Sequence, residues 1–254
     1  MNSDPHAPVV RSAVFRFYEE LNDFLPVALH KRSFPYEFIG KPTVKGVIEA
    51  IGVPHAEIDL ILVNGESVGF DHQLLGGERV SVYPVFESFD ITPLIHLREK
   101  PLRDTKFIVD VNLGKLAQKL RLLGFDSLYR NDFEDSEIVK IALLEQRIIL
   151  TRDKGVLKHS AVTHGYWVRS NDPGVQMKEV INRFQLESSF RPFIRCTNCN
   201  GILQQVEKAK VQDRLPADTL QYCDVFWQCE SCQKLYWRGS HYQHICDWVE
   251  ALKS

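Results

Sequence analysis

Residues 106–126 read KFIVDVNLGKLAQKLRLLGFD. The apolar run at 107–109 predicts a buried strand, and Asp110 follows it directly. Apolar residues then recur at helical spacing over 113–123, and Gly124 is typical of the end of a helix. This order of strand and helix predicts the first repeat of an α/β unit with parallel strands.

The same alternation continues towards the C-terminus. Strands are predicted at 127–129, 147–150 and 166–168, and helices at 135–145 and 174–184. Alternating strands and helices favour a parallel sheet with both faces covered. We therefore predict an α/β domain over residues 106–190.

A different pattern precedes this domain. Strands are predicted at 13–17, 34–39, 60–63 and 79–86, and Thr43 is a good cap for a helix up to residue 51. Asn64-Gly65 is a strong hairpin signal. A small mixed sheet with one helix favours a β-grasp, ubiquitin-like domain over 12–87. We expect 1–11 to be a disordered lead-in and 88–105 to be a linker.

Two Cys-x-x-Cys pairs lie near the C-terminus, and they consist of Cys196, Cys199, Cys229 and Cys232. Four thiolates complete a tetrahedral Zn²⁺ site, and a reducing compartment favours metal binding over disulfides. We therefore predict structural zinc in a ribbon over 191–254, in which the insert at 204–222 can loop out and a final helix covers 246–252. Cys223 and Cys246 are expected to be free, and His241 or His244 is an alternative ligand.

Composition limits the class of protein. The chain has 254 residues, 44% of them hydrophobic, and a net charge of −2, so it has no global basic field for nucleic acid. It contains no apolar stretch of about 18 residues, and its N-terminus lacks the regions of a signal peptide. These features predict a soluble cytoplasmic protein without a membrane partner.

Acidic residues follow the predicted strands or begin the predicted helices, and they are Asp110, Asp135, Asp153 and Asp172. Ligands gather beyond the carboxyl ends of parallel strands, where carboxylates suit Mg²⁺ or Mn²⁺. Such ions activate water for phosphodiester hydrolysis.

The alternative reading is that these acids are helix caps. Asn112 can itself cap the next helix, which would leave Asp110 freer for chemistry. The second acid has three competitors, which are Asp132, Glu134 and Glu137.

Cations accompany the acids. Lys115 and Lys119 share one helix face, and further cations lie nearby at Arg121, Arg130, Arg152 and Lys154. Positive charge beside carboxylates suits a polyanionic substrate, although a solvated helix face is an equal alternative. Trp237 suits stacking on nucleic acid, or else packing in a core.

Several of these stretches together resemble a PIN-like RNase family that is named after the carboxy-terminal domain of the Mut-seven exonucleases. The resemblance is carried by residues 106–126, DSEIVKIA at 135–142, RIILTRD at 147–153, CTNCN at 196–200 and YWRGSH at 236–241. It implies a metal-dependent ribonuclease with an acidic core of Asp110, Asp135 and Asp153, and Asp172 is a fourth candidate from strand order.

The N-terminal unit resembles the ubiquitin-like domain often fused to this RNase domain and related to sulfur carriers. Sulfur carriers need a C-terminal Gly-Gly, whereas Gly76-Gly77 is internal here. We therefore interpret this pair as a turn.

The expected function is endonucleolytic hydrolysis of RNA with structural zinc and catalytic magnesium or manganese. The expected RNA contacts are Lys115, Lys119, Arg152 and Trp237, and the N-terminal domain could bind a protein partner. Two alternatives stay open: a non-catalytic RNA- or ribosome-binding adaptor in which the acids are caps, and a nuclease that acts on DNA.

Overall fold

The computed structural model of the chain describes residues 9–84 and 105–252. Its strands are β1 (Val10–Phe17), β2 (Phe34–Ile39), β3 (Ile58–Val63), β4 (Glu66–Ser67), β5 (Arg79–Pro84), β6 (Lys106–Val109), β7 (Asp126–Leu128), β8 (Ile148–Thr151), β9 (Gly165–Trp167), β10 (Leu203–Val206), β11 (Phe226–Cys229) and β12 (Leu235–Trp237). Its α-helices are α1 (Val44–Ile51), α2 (Gly114–Leu122), α3 (Asp135–Glu145), α4 (Lys154–Lys158), α5 (Pro173–Phe184), α6 (Ala217–Tyr222) and α7 (Ser240–Ala251).

The chain divides into two compact units. The first comprises Met1–Leu102 and Asp153–Trp167, and the second comprises Arg103–Arg152 and Val168–Ser254. The segment with α4 and β9 thus belongs to the first unit. The domain limits that the sequence suggests stay predictions.

The first unit contains a mixed sheet of the β-grasp kind, in the order β2-β1-β5-β3-β4. β1 pairs antiparallel with β2 and parallel with β5. Alternate side chains of β1 enter the core, among them Phe15 and Phe17, because successive residues of a strand face opposite sides. The helix α1 begins at Thr43, whose hydroxyl accepts a hydrogen bond from the Gly46 N–H at 3.2 Å.

Segment 153–167 is held in the first unit by polar and aromatic contacts. The carboxylate of Glu57 accepts a hydrogen bond from the Trp167 N–H at 2.6 Å. The Nε2 atom of His55 donates to the Val162 carbonyl at 2.9 Å. The Trp167 ring packs on Phe24 with 5.0 Å between ring centroids.

The second unit contains a parallel sheet in which β6 lies between β7 and β8. Phe107, Ile108 and Val109 are fully buried, as the continuous apolar run predicts for a strand covered on both faces. Carboxyl ends of parallel strands meet at one edge of a sheet. Asp110 and the end of β8 at Thr151 therefore lie side by side.

A cysteine-rich ribbon completes the second unit. Its three strands are antiparallel in the order β10-β11-β12, with Leu203 opposite Cys229 and Trp227 opposite Tyr236. The segment between β10 and β11 was expected to loop out. It instead forms short 3₁₀ turns and α6, which pack Val211 and Cys223 against Phe226.

The predicted fold class is confirmed: a β-grasp unit, a parallel α/β sheet and a C-terminal cysteine cluster are present. The Asn64-Gly65 hairpin also forms, with β3 and β4 paired on its two sides. Gly76 and Gly77 both have positive φ and lie in the turn before β5, as the sequence predicts.

Two predicted limits need correction, and one helix was missed. β1 begins at Val10, so residues 10 and 11 belong to a strand and not to the lead-in. The last helix begins at Ser240, six residues before the predicted start at 246. The helix α4 had no strong apolar period and was not predicted.

Some predictions fall outside the described residues. They concern the lead-in at 1–8, the end of the predicted strand at 85–86, residue 87 of the first domain and the linker at 88–104. Among the helices of the described parts, none combines the length and the apolar character needed to span a bilayer.

Gly124 gives the first testable prediction. Its φ is +96°, and an added Cβ would overlap the Arg191 carbonyl oxygen and lie 2.8 Å from the carbonyl carbon. We expect Gly124→Ala to destabilise the second unit by about 3 kcal/mol through backbone strain and steric overlap.

The control is Gly77→Ala, because Gly77 has a similar φ of +93° and no atom within 4 Å of an added Cβ. It should cost only about 1 kcal/mol, the strain of a left-handed residue. Urea denaturation followed by tryptophan fluorescence measures both values. Equal losses in the two variants would contradict the close approach at Arg191.

Candidate functional site

The four predicted cysteine ligands come together in the ribbon. The sulfur atoms of Cys196, Cys199, Cys229 and Cys232 all lie within 4.8 Å of one another. The Cys196 and Cys232 sulfurs are 3.6 Å apart, and those of Cys199 and Cys229 are 3.4 Å apart. These distances exclude disulfides and approach the roughly 3.8 Å between sulfurs that a tetrahedron of 2.3 Å Zn–S bonds requires.

The two cysteine pairs have the same backbone turn. The Asn200 N–H donates to the Cys196 carbonyl at 2.9 Å, and the Gln233 N–H donates to the Cys229 carbonyl at 3.0 Å. Asn200 and Gln233 both have a positive φ, of 71° and 60°. Each pair is therefore a knuckle that turns both of its sulfurs towards one point.

The electrostatics of the clustered thiols favour a bound cation. Burial raises the pKa of Cys196, but hydrogen bonds from the Tyr236 hydroxyl and from backbone N–H groups lower it to about 6. Burial and the neighbouring thiols raise the pKa of Cys199 to about 12. A divalent cation would relieve this conflict, because metal ligation requires deprotonated thiols. The donor set is thus compatible with structural zinc.

The buried residue Arg121 fastens the first knuckle to the sheet. Its Nη1 donates to the Asn198 carbonyl at 2.8 Å and the Thr197 carbonyl at 3.2 Å, and its Nε donates to the Ser127 carbonyl at 2.8 Å. Only 2% of its surface is exposed. Arg121 therefore has a structural role in the second unit.

Asp126 forms a second link between sheet and ribbon. Its carboxylate accepts hydrogen bonds from Arg147 at 2.6 Å and from the Asn200 side chain at 2.8 Å, and Arg195 lies 3.4 Å away. Burial alone would raise the pKa of Asp126. The bonds from Arg147 and Asn200 outweigh it and, with the charge of Arg195, hold the pKa below the usual 3.8. We call these four residues the Asp126 network.

Asp110 lies at the carboxyl end of β6 with 4% of its surface exposed. Its Oδ1 accepts from the Val111 N–H at 2.6 Å, and its Oδ2 accepts from the Thr151 hydroxyl at 2.7 Å. Asp110, and not Asn112, caps the following 3₁₀ turn. The expectation that Asn112 would free Asp110 from capping is therefore wrong. The carboxylate of Asp110 is therefore buried and held in one orientation.

The other predicted acids occupy helix starts. Asp153 caps α4, and its Oδ1 accepts from the Gly155 N–H at 2.6 Å. Asp172 caps α5 through the N–H groups of Gly174 and Val175, at 2.8 and 2.9 Å. Asp135 is the first residue of α3, and Glu134 occupies the cap position without a side-chain capping bond.

Two competitors for the second acid are paired with a cation. The Arg130 guanidinium donates to Asp132 and to Glu137, both at 2.9 Å. The same guanidinium lies 4.4 Å from the centre of the Phe133 ring. Arg130 is therefore paired with Asp132 and Glu137 at the surface.

The structure gives metal-ligand geometry to the cysteines alone. Within the described residues, they are the only group of three or more Cys, His, Asp or Glu residues close enough to hold one ion. Within the second unit, Asp110, Asp135 and Asp172 are not gathered in this way. His244 is not in the cysteine group, and the side chain of His241 lies outside the described part.

Three predicted RNA contacts line one cavity of about 660 Å³ in the second unit, namely Lys115, Lys119 and Trp237. Arg152 does not line it and donates to the Asn171 side chain. Lys154, in the first unit, lies 4.0 Å from the centre of the Trp167 ring. The sequence did not reveal the cavity, because its walls come from α2, the ribbon and α7.

The chain belongs to the Mut7-C RNAse domain family, whose model matches residues 105–249, more than half of the chain. A second model, Mut7-C ubiquitin, matches residues 10–90. No curated protein and no solved structure matches the chain. The family resemblance seen in the sequence is confirmed for both parts, and membership of the first family indicates a nuclease of the ribonuclease type.

The cysteine cluster gives the second prediction. The purified protein should contain one zinc ion per chain, and Cys199→Ser should lose it and lower stability by roughly 3 kcal/mol, since metal binding contributes directly to folding. Metal analysis by mass spectrometry and thermal denaturation measure the two effects.

The matched control is Cys246→Ser, because Cys246 is a free and partly buried cysteine outside the cluster. It should retain the zinc. Equal zinc content in both variants would exclude the cluster as the zinc site.

The Asp126 network gives the third prediction. Asp126→Asn should destabilise the protein by about 3 kcal/mol at neutral pH, because a buried ion pair loses one partner. A carboxyl with a lowered pKa stabilises the fold above its usual pKa of 3.8, and the effect is lost as the pH falls through the folded value.

The difference in unfolding free energy between wild type and variant should therefore be constant above about pH 5 and shrink below pH 4. Urea denaturation at several pH values measures it. A difference that stays the same down to pH 2 would show that the charge of Asp126 is not what stabilises the fold.

Proposed function

We propose that the protein is a divalent-metal-dependent endoribonuclease that hydrolyses RNA phosphodiester bonds. The observation that carries this proposal is the match to the Mut7-C RNAse domain over residues 105–249. Within this stretch, Asp110 follows the central strand of the parallel sheet, where ligands of such sheets gather.

Asp110 is suited to hold a cation in a fixed place. Its two hydrogen bonds come from the Val111 N–H and the Thr151 hydroxyl, and they set the orientation of the carboxylate. A carboxylate has about four acceptor positions, so two of them are left for another ligand. Thr151 is fully buried, so the group that positions Asp110 is itself held firmly.

Asp110 and Asp135 are the residues of the second unit that we propose to hold magnesium or manganese, and Asp153 stays a candidate from the sequence. Carboxylate oxygens are the ligands that these hard ions prefer, so the chemistry of the donor set fits. When bound, the ion would activate water and offset charge on the phosphate. Asp172 is a fourth candidate, because its Oδ2 has no hydrogen bond within the described contacts.

The basic residues near these acids would bind the RNA phosphates. Lys115 is exposed in the first turn of α2 and has no ion pair among the described residues. Lys119 lies one turn further along α2. Arg152 directly precedes Asp153. Their charge would draw a polyanion to this edge in spite of the slightly negative net charge of the chain.

The second candidate is a non-catalytic RNA-binding adaptor. It is favoured by one observation: Asp110, Asp153 and Asp172 each accept a capping hydrogen bond at a helix or 3₁₀ start. Capping uses part of each carboxylate, so it also agrees with metal binding. Whether the protein is a nuclease or an adaptor, the ubiquitin-like unit would recruit a protein partner.

The fourth prediction concerns cleavage. Asp110→Asn and Asp153→Asn should each lower the rate of RNA cleavage in Mg²⁺ or Mn²⁺ by about a hundredfold or more, because a ligand loses its charge. The control is Asp213→Asn, an exposed aspartate in the ribbon. The cleavage rates of Asp135→Asn and Asp132→Asn are compared, and the variant with the larger loss identifies the second acid.

The assay uses end-labelled RNA and the same sequence as DNA. We expect internal cuts in the RNA and little cleavage of the DNA. Equal rates in wild type and both aspartate variants would exclude this acidic site, and RNA binding without any metal-dependent cleavage would favour the adaptor.

A further inference from the structure

The cavity that contains Lys115, Lys119 and Trp237 carries an inference about the substrate. It has a volume of about 660 Å³, and its walls are formed by α2, the ribbon strands and α7. Pockets of this size hold ligands as large as one or two nucleotides. We call it the aromatic cleft.

One wall of the aromatic cleft is a face of α2. Lys115, Gln118, Lys119 and Leu122 line it, and their spacing in sequence places them on one side of the helix. The opposite side of α2 is buried, with Leu116, Ala117 and Leu120 in the core. The two lysines are therefore held in position by a packed helix, roughly 6 Å apart along its axis.

The other walls carry aromatic rings, and these belong to Phe193, Trp227, Tyr236, Trp237 and Tyr242. The Tyr236 hydroxyl lies 3.1 Å from the Cys196 sulfur and 3.2 Å from the Thr197 hydroxyl, which fixes the orientation of its ring. Trp237 has 38% of its surface exposed. An exposed tryptophan beside a fixed tyrosine offers stacking surface to a flat ligand.

The charge of the aromatic cleft points to an anion. Its charged lining residues are Lys115, Lys119 and Arg195, and none of the described lining residues is Asp or Glu. Arg195 is paired with Asp126, so the two lysines supply the net charge. Lys119 also lies 4.7 Å from the centre of the Trp248 ring, which leaves its charge intact.

We propose that the aromatic cleft binds unpaired nucleobases of single-stranded RNA, with Lys115 and Lys119 on the adjoining phosphates. Aromatic stacking together with cations is how proteins bind single strands without reading their sequence. Bases in a duplex are already stacked on each other, so a duplex would not enter. The choice of RNA as the occupant rests on the proposed function.

One wall of the aromatic cleft, the helix α2, follows Asp110 closely in the sequence. Asp110 caps the 3₁₀ turn that leads directly into α2, and Lys115 is in the first turn of that helix. A strand with its bases in the cleft and a phosphate on Lys115 would continue towards the acidic residue. The ribbon would thus hold substrate for cleavage at the sheet edge.

The test measures binding separately from cleavage. A fluorescein-labelled single-stranded RNA of about twelve nucleotides is titrated with the full chain carrying Asp110→Asn, and anisotropy gives the affinity. Adding Trp237→Ala or Lys115→Ala should weaken binding about tenfold each, and Trp237→Phe should restore most of the loss.

The matched controls lie outside the cleft. Tyr222→Ala removes an aromatic side chain that is 77% exposed in the ribbon, and Lys178→Ala removes an exposed lysine of α5. Both should bind RNA like the parent. A duplex of the same sequence should bind much more weakly in every variant.

The inference is overturned if the cleft variants bind like the controls, or if the duplex binds as tightly as the single-stranded RNA. Its failure is distinct from failure of the proposed function. Cleavage that needs Asp110 but is unchanged in the cleft variants would exclude only RNA binding in the cleft. Binding that needs the cleft, without cleavage by the wild type, would support the cleft and exclude the nuclease.

Discussion

The ion pair between Asp126 and Arg147 is the interaction on which the arrangement of the second unit depends. Arg147 also donates to the Phe107 carbonyl of β6 at 3.1 Å, and Asp126 begins β7. The pair therefore lies within the parallel sheet itself. Through Asn200 and Arg195 the same carboxylate reaches the ribbon. Removing one partner of a buried ion pair leaves an uncompensated charge, so the network disfavours docking geometries that separate these residues.

The cysteine cluster and the proposed RNA-binding cleft are linked through this docking. Arg121 binds the carbonyls of Thr197 and Asn198, which lie between the first two cysteines. Tyr236, a wall of the aromatic cleft, contacts the Cys196 sulfur. Loss of the metal would loosen the knuckle, and with it both the attachment to α2 and the cleft. Zinc would then act on RNA binding through the shape of the ribbon and not by contact with the substrate.

Local patterns predicted most of the fold. The strand at 107–109, the helix at 135–145 and the Asn64-Gly65 turn depend on neighbours in sequence, and the structure contains all three. The cysteine cluster was predictable for the same reason, since spacing alone defines each knuckle. The short helix α4 was missed because five residues are too few to show a helical period.

The parts that sequence could not give are contacts between distant residues. Arg121 and Thr197 are 76 positions apart, and nothing in the local pattern separates a buried arginine from a solvated one. The Thr151 hydroxyl reaches Asp110 from 41 positions away, which periodicity does not show. The aromatic cleft likewise needs α2 and the ribbon to be in place before its residues share a surface.

The central claim is that Asp110 holds a catalytic metal ion. Anomalous scattering from a crystal of the protein soaked in Mn²⁺ tests it most directly. The account predicts a manganese peak within coordinating distance of the Asp110 carboxylate, and no such peak in a crystal of the Asp110→Asn variant. A wild-type crystal with zinc at the cysteines and no manganese at Asp110 would contradict the account.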